Sequence, residues 1–198
     1  MKYPPAIQDL INKLSELPSV GPKTAERYVF YLLRQNKEKL KDLSEAISVL
    51  KEKTTICRSC QAIAASDPCQ ICADRNRRAG ILCVVENTQD LAAIEATKQF
   101  GGHYFVLGGL INTINEIQPA DLNIDKLIKK IKTEKIQEII LALNFTLEGE
   151  TTALYLNKLL KNHLKISRLA KGLPAGSDLE YADELTLSSA LKNRGEMK

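Results

Sequence analysis

The sequence predicts a multi-domain α/β protein, on three observations. Residues 1–53 carry their apolar side chains at helical spacing only, four cysteines follow as two C-x2-C pairs, and beyond residue 80 apolar runs of strand length alternate with helical segments. In order, the chain divides into a helical piece at 1–53, a cysteine-rich piece at 54–79, an α/β domain at 80–175 and a C-terminal segment at 176–198.

In the first piece, Ile7, Leu10, Ile11, Leu14 and Leu17 mark one helix. Pro18-Ser19-Val20-Gly21-Pro22 interrupts it; Gly21 is suited to a positive φ and Pro22 to the first position of a second helix, which continues to about Arg34. A third helix carries Leu40, Leu43, Ile47 and Leu50 on one side. On a wheel of ~100° per residue, Lys23, Arg27 and Arg34 fall within ~40° of one another. Ala25, Tyr28, Val29, Leu32 and Leu33 take the opposite face. Two helices joined by a short glycine-containing turn, with cations beside an outward-facing helix start, resemble the helix-hairpin-helix motif. Free N–H groups at such a start attract phosphate. Lys23, Arg27 and Arg34 are therefore candidate DNA contacts.

Cys57, Cys60, Cys69 and Cys72 form C-x2-C-x8-C-x2-C. Each pair brings two thiolates to one metal, and four complete a tetrahedron around Zn²⁺ with no place for an activated water, so the expected zinc is structural. Two disulfides are opposed by a reducing compartment, and a thioredoxin-like redox pair by the duplication. The intervening loop is too short for a core, so the metal is expected to supply its folding energy. The fifth cysteine, Cys83, sits in an apolar run and reads as a core residue. Arg58, Arg75, Arg77 and Arg78 flank the cysteines, either as solvated charge or as an extension of a basic surface.

In the third piece, Ile81–Val85, Tyr104–Leu107, Ile139–Leu143 and Ile166–Ala170 read as strands. Helices are expected at Asp90–Phe100, Asp125–Ile131 and Glu150–Leu164. Near-continuous apolar strands alternating with helices imply a parallel sheet covered on both faces, with sites at the strand C-termini. There stand Glu86, after the first strand, and Asn144, Thr146 and Glu148, after the third. They are either ordinary loop residues or an acidic pocket for a divalent cation or a basic partner. In the last piece Gly172, Pro174 and Gly176 mark a turn, Asp178–Glu184 is acidic, and Leu185–Leu191 reads as a helix that packs on its own sheet or on a neighbouring subunit. His103 and His163 have no evident companions.

Composition bounds the function. The 198 residues are 44% hydrophobic and 26% charged, a globular balance, with a net charge of only +4. Residues 1–80 hold 14 Lys+Arg against 9 Asp+Glu, and residues 81–198 hold 14 against 15, so the positive excess lies in the N-terminal pieces. No apolar run approaches the ~20 residues of a membrane helix. MKYPPAIQDLINKL lacks a signal-type apolar stretch, so a cytoplasmic protein is expected.

The ordered series of hairpin, four-cysteine finger, Leu82-Cys-Val-Val-Glu86, Asn144-Phe-Thr146-Leu-Glu148-Gly149-Glu150-Thr-Thr-Ala153, and Arg168-Leu-Ala-Lys-Gly172-Leu-Pro174-Ala-Gly176-Ser-Asp178-Leu-Glu180-Tyr181-Ala-Asp183 resembles the RecR family of bacterial recombination mediators over nearly the whole chain. The resemblance implies a Toprim fold for 80–175 and an assembly role for 176–198. Toprim enzymes carry a Glu after the first strand and an Asp-x-Asp pair after a later one, which together hold Mg²⁺. Glu86 matches the first element, but Asn144-x-Thr146-x-Glu148 stands in place of the aspartate pair, which speaks against strand cleavage or synthesis. The alternative is a metal-dependent Toprim nuclease or primase-like enzyme using Glu86 and Glu148. The family's C-terminal segment has been likened to a Walker B motif, but no phosphate-cradling G-x-x-x-x-G-K-[ST] accompanies it here. The family implies a non-catalytic, ring-like homotetramer that binds DNA without reading sequence. It acts with RecO and RecF to load RecA on single-stranded DNA, and Glu86 and Glu148 become candidate contacts for RecO. One departure is Leu110–Pro119, where relatives tend to carry Ser-Pro and a further glycine.

Overall fold

In the computed structural model residues 3–161 and 164–196 are described, so His163 lies outside the described residues. The chain forms two compact units, Met1–Thr54 and Thr55–Lys198.

The first unit contains α1 (Pro5–Ser15), α2 (Pro22–Leu32) and α3 (Lys37–Ser48). Its buried core is small: Ile11, Ala25 and Val29, with Ile7, Leu14 and Val20 packed around them. Proline opens both α1 and α2, where its missing N–H is no loss and its fixed φ suits the helix. Gly21 caps α2 in an extended conformation, φ −80°, and the positive φ expected there falls on Ser19 instead, at 63°. The reason is positional: an N-cap residue needs β-region angles, so the reversal is completed two residues earlier. The second helix also ends sooner than the periodicity predicts. Beyond Leu32 the bonds tighten to i→i+3, Arg34 N–H donating to Tyr31 O at 3.1 Å and Gln35 N–H to Leu32 O at 2.9 Å. Asn36 then caps α3 by accepting from Lys39 N–H at 2.9 Å.

In the second unit, β1 (Thr55–Ile56) and β2 (Ile63–Ala64) form a minimal antiparallel hairpin, and α4 (Gln70–Ala73) is a single turn. The main sheet holds β3 (Ile81–Val85), β4 (His103–Val106), β5 (Glu138–Ala142) and β6 (Lys165–Arg168), all parallel in the order β4-β3-β5-β6. The connecting helices are α5 (Thr88–Ala96), α6 (Ile124–Thr133) and α7 (Leu147–Leu160). Alternation along β3 supplies two cores. Leu82 and Val84 face a cluster with Leu127 and Ile131 of α6 and Leu156 and Leu160 of α7. Cys83 and Val85 face Leu91 of α5 and, beside it, Cys57, Cys60, Ala62 and Cys69. The cysteine-rich segment thus covers part of the sheet face that an α/β fold would otherwise give to a helix.

The segment is also bonded to the sheet. The Cys60 carbonyl accepts from Val106 N–H at 2.8 Å, capping the edge strand β4, and Ile63 N–H donates to Thr88 Oγ1 at 3.0 Å. Arg77, one of the flanking arginines, is an internal strut: its guanidinium binds Glu95 and, at 3.0 Å, the Gly102 carbonyl.

α7 begins three residues before the expected Glu150, because Thr146 caps it through Gly149 N–H at 3.2 Å. Glu148 is therefore a first-turn residue rather than a loop residue. Gly149 is required there: a Cβ would come 1.9 Å from the Asn144 carbonyl oxygen. After β6 the chain runs to a 3₁₀ turn at Leu179–Tyr181 and to α8 (Glu184–Lys192), capped by Asp183. No residue of α8 is buried, and Leu185 and Leu191 are 80% and 66% exposed. No described helix is long and apolar enough to cross a membrane.

Candidate functional site

The four cysteines converge. Cys57 and Cys60 lie on the β1–β2 turn, where Cys57 N–H donates to Ala62 O at 2.9 Å and Gln61 N–H to Cys57 O at 2.8 Å. Cys69 caps α4 and Cys72 lies within it. All four Sγ atoms lie within 4.8 Å of one another, and Cys60 Sγ and Cys69 Sγ are 3.6 Å apart. A tetrahedron with metal–sulfur bonds of ~2.3 Å has edges of about 3.8 Å, so the donor set fits one ion. Backbone N–H groups point at the sulfurs, Cys69 N–H to Cys57 Sγ and Cys72 N–H to Cys69 Sγ, each at 3.4 Å. Hydrogen bonding, first from the Cys60 thiol and then from Ser59 and the other cysteines, draws the Cys72 thiol down to about 5. Its bond to Cys72, together with burial, pushes Cys60 up. The bare cluster thus accommodates one thiolate readily and opposes the next, and a dication removes that opposition. By contrast Cys83, 2% exposed, is pushed up to about 12 by burial and belongs to the core.

On the hairpin, Lys23 and Arg27 are both exposed on α2, one turn apart. No side chain caps that helix, and the first intrahelical bond is Ala25 N–H to Gly21 O, so Lys23 and Thr24 N–H have no partner among the described residues. Arg34 does not share this face by helical periodicity, since α2 ends at Leu32 and Arg34 lies in the turn beyond it.

At the C-terminal edge of the sheet, the loops after β3 and β5 leave in opposite directions, toward β4 and β6, which makes the β3/β5 boundary the switch point where α/β sheets bind ligands. Glu86 and Asn144 meet there, with Asn144 Nδ2–H donating to Glu86 Oε2 at 3.2 Å. Glu86, Asn144, Thr146 and Glu148 line one cavity of about 330 Å³. Its far wall is Gly109 together with Leu110, Asn112 and Ile117 of the divergent loop, residues that carry no motif in the sequence. That loop is ordered by an Asn112–Ile117 bridge and by Ile111 N–H donating to the buried Thr152 hydroxyl at 2.9 Å. Beside the cavity, Phe145 lies under two cations, Arg168 at 4.9 Å and Lys171 at 4.6 Å from the ring centre, and both bind the Glu150 carboxylate.

A hairpin of helices with an open cationic helix start, a four-thiolate cluster and an α/β sheet with a carboxylate at its switch point define a DNA-associated protein of the Toprim class. Family models agree piece by piece: the RecR helix-hairpin-helix model matches residues 7–50, the Toprim domain 80–170, and the RecR C-terminal model 172–194. The chain is 47% identical to the recombination protein RecR of Bifidobacterium adolescentis, with 98% of each chain covered. It is 46% identical to that of Bifidobacterium animalis subsp. lactis, covering 100% of this chain and 99% of the relative, and 43% identical to that of Staphylococcus aureus with both chains fully covered. This chain belongs to the RecR family of recombination proteins.

Proposed function

We propose that the chain is a non-catalytic, cytoplasmic, DNA-binding mediator of recombinational repair that acts with RecO and RecF to promote RecA loading on single-stranded DNA. The observation that carries the reading is at the switch point: the side chain paired with Glu86 is the amide of Asn144, not a carboxylate. Two carboxylates and an amide are a weaker Mg²⁺ cradle than the three acids of Toprim enzymes. The same acidic cavity suits a basic protein surface, and Glu86 and Glu148 are the residues we assign to RecO. Lys23 and Arg27, with Arg34 beyond the helix, supply phosphate contacts without base reading. Cys57, Cys60, Cys69 and Cys72 hold one structural Zn²⁺, the usual ion of four-thiolate sites.

The reading divides labour among residues 1–53, 54–79, 80–175 and 176–198, for DNA, metal, partner and assembly respectively. Apolar side chains exposed at both ends support a ring-like homotetramer: Leu43 and Ile47 on α3 with Leu50 in the turn beyond it, and Leu179, Tyr181 and Leu185 near the C-terminus. A ring of weak contacts binds one DNA by avidity.

The experiment is DNA binding over a salt series with and without RecO, alongside incubation of nicked and single-stranded DNA with Mg²⁺ or Mn²⁺. Lys23→Ala with Arg27→Ala is expected to weaken binding and flatten the dependence of log K on log salt by about 1.4–1.8. DNA turnover abolished by Glu86→Gln would overturn the non-catalytic reading in favour of a metal-dependent nuclease or primase-like enzyme.

A further inference from the structure

At the β4 edge of the sheet, where the cysteine-rich segment meets α6, lies a second concentration of positive charge that none of the roles above uses. A groove of about 430 Å³ runs between the first cysteine knuckle and α6. Arg58 and Ser59 form one wall, and Lys126, Lys129, Lys130 and Glu134 the other. Four cations against one carboxylate leave the lining strongly positive, and Asp67, which holds Arg58, reduces the excess by one. We propose that this groove is a second nucleic-acid contact surface, taking a sugar-phosphate backbone independently of the helical hairpin.

Three of the four cations, Arg58, Lys126 and Lys130, are held in place by hydrogen bonds. Lys130, 6% exposed, donates to Ser59 Oγ at 2.8 Å and to Glu134 Oε1 at 2.6 Å. Lys126 donates to Gln61 Oε1 at 2.7 Å and to Asn123 Oδ1 at 3.0 Å. Both of its acceptors are neutral, so the ammonium is positioned without being neutralised. Lys129 is exposed and makes no ion pair among the described residues. Asp67 grips Arg58 through the backbone N–H at 3.0 Å and Nε at 2.5 Å, leaving both terminal guanidinium nitrogens without a partner among the described residues. Ser59 and Gln61 flank Cys60, so the knuckle fixes the acceptors and α6 fixes the lysines, at sequence separations of 65 and 71 residues. Positioned ammonium and guanidinium groups of one sign are the chemistry of phosphate-backbone contact.

The groove suits a polyanion better than a protein. A protein interface is anchored by accessible aromatic or aliphatic side chains. The one apolar lining residue is Phe105, and it is 1% exposed. Preordered cations instead bind phosphates with little entropy lost from the side chains.

The test uses the full-length protein and a fluorescent oligonucleotide, single-stranded or duplex, with affinity read by anisotropy over a salt series. Lys126→Gln with Lys129→Gln is compared with a charge-matched control, Lys132→Gln with Lys158→Gln, whose positions lie outside the groove. The groove variant is expected to weaken binding several-fold and to lower the salt slope by about 1.8 on duplex or 1.4 on single strands, two phosphate contacts' worth. The control is expected to change the slope by much less. Loss of slope in the groove variant with none in Lys23→Ala/Arg27→Ala would keep the groove and overturn the hairpin assignment. Loss in the hairpin variant alone would overturn the groove, as would equal losses in the groove variant and the control. Unchanged DNA binding, with polyglutamate bound by the wild type and lost in the groove variant, would also overturn it by giving the groove to an acidic protein. Circular dichroism and metal content serve as folding controls.

Discussion

The hairpin unit and the sheet unit bury apolar side chains very differently. In the first, three of the described residues are buried, and α3 contributes none of them. In the second, a parallel sheet is covered on both faces, and its core includes four strands, three helices and the cysteine cluster. The difference shows how a small helical unit and an α/β sheet finish their cores. A sheet with two apolar faces completes itself within one chain. Three short helices do not enclose their own apolar surface, and burying each of Leu43, Ile47 and Leu50 elsewhere is worth about 1.5–3 kcal/mol. The hairpin unit is therefore left, like the C-terminal segment, with apolar surface that its own chain does not cover.

The largest expected effect tests the sheet unit. The thiolate cluster is part of a shared core, and its Cys60 carbonyl caps β4, so metal removal should reach beyond the finger. We expect about one zinc per chain by elemental analysis, lost in Cys57→Ser with Cys72→Ser. In hydrogen exchange the Val106 amide should lose protection on chelation, while Ile139 and Leu141 in β5 keep theirs and the hairpin is unaffected. Retained metal in the double variant would contradict the site, and an unchanged Val106 amide would show that the finger and sheet do not depend on each other.

The next effect tests the hairpin unit. Leu43→Asp with Ile47→Asp places charge on the open stripe of α3, where both residues are exposed, at 45% and 66%. The unit should stay helical, because neither side chain is in its core, while the proposed tetramer should fall to half its mass by light scattering. A tetramer of unchanged mass would refute the assignment of this stripe to assembly.

How much of this the sequence discloses depends on the range of the interaction that decides it. β3 is legible to the residue, because five consecutive apolar side chains, four of them buried, leave little choice of boundary. The cysteine spacing discloses its cluster for the same reason: the pattern is the geometry. Boundaries set by a single local bond are read less well. The Thr146 cap moves the α7 start to Leu147, a residue 78% exposed that gives no periodic signal. The tightened turn after Leu32 takes Arg34 off the helix, and Ser19 accepts the positive φ that composition assigns to glycine. Contacts between distant residues are not legible at all. Nothing near Lys126 or Lys130 announces Gln61 and Ser59, and the loop wall facing Glu86 has no motif. At the switch point the sequence named Glu86, Asn144 and Glu148, and the structure added that the first two are hydrogen-bonded.

The smallest effect is the pH response of the sheet unit. Hydrogen bonds from Lys171 and then Arg168 hold the Glu150 carboxyl below its ordinary value of 4.5, and Arg77 does the same for Glu95. Both groups belong to the sheet unit. A carboxyl depressed in the folded state binds fewer protons there than in the unfolded chain. Its stabilising contribution is therefore complete above about 4.5 and is lost as pH falls through the lower folded value. The sheet unit should accordingly lose stability on acidification below about pH 4.5, and Glu150→Gln should make that acid limb shallower while lowering stability modestly at neutral pH, since Arg168 and Lys171 then share an uncharged acceptor. Thermal melts of wild type and Glu150→Gln between pH 3 and 7 check this, and an acid limb of equal steepness in both proteins would show that the Glu150 pair does not set the pH response.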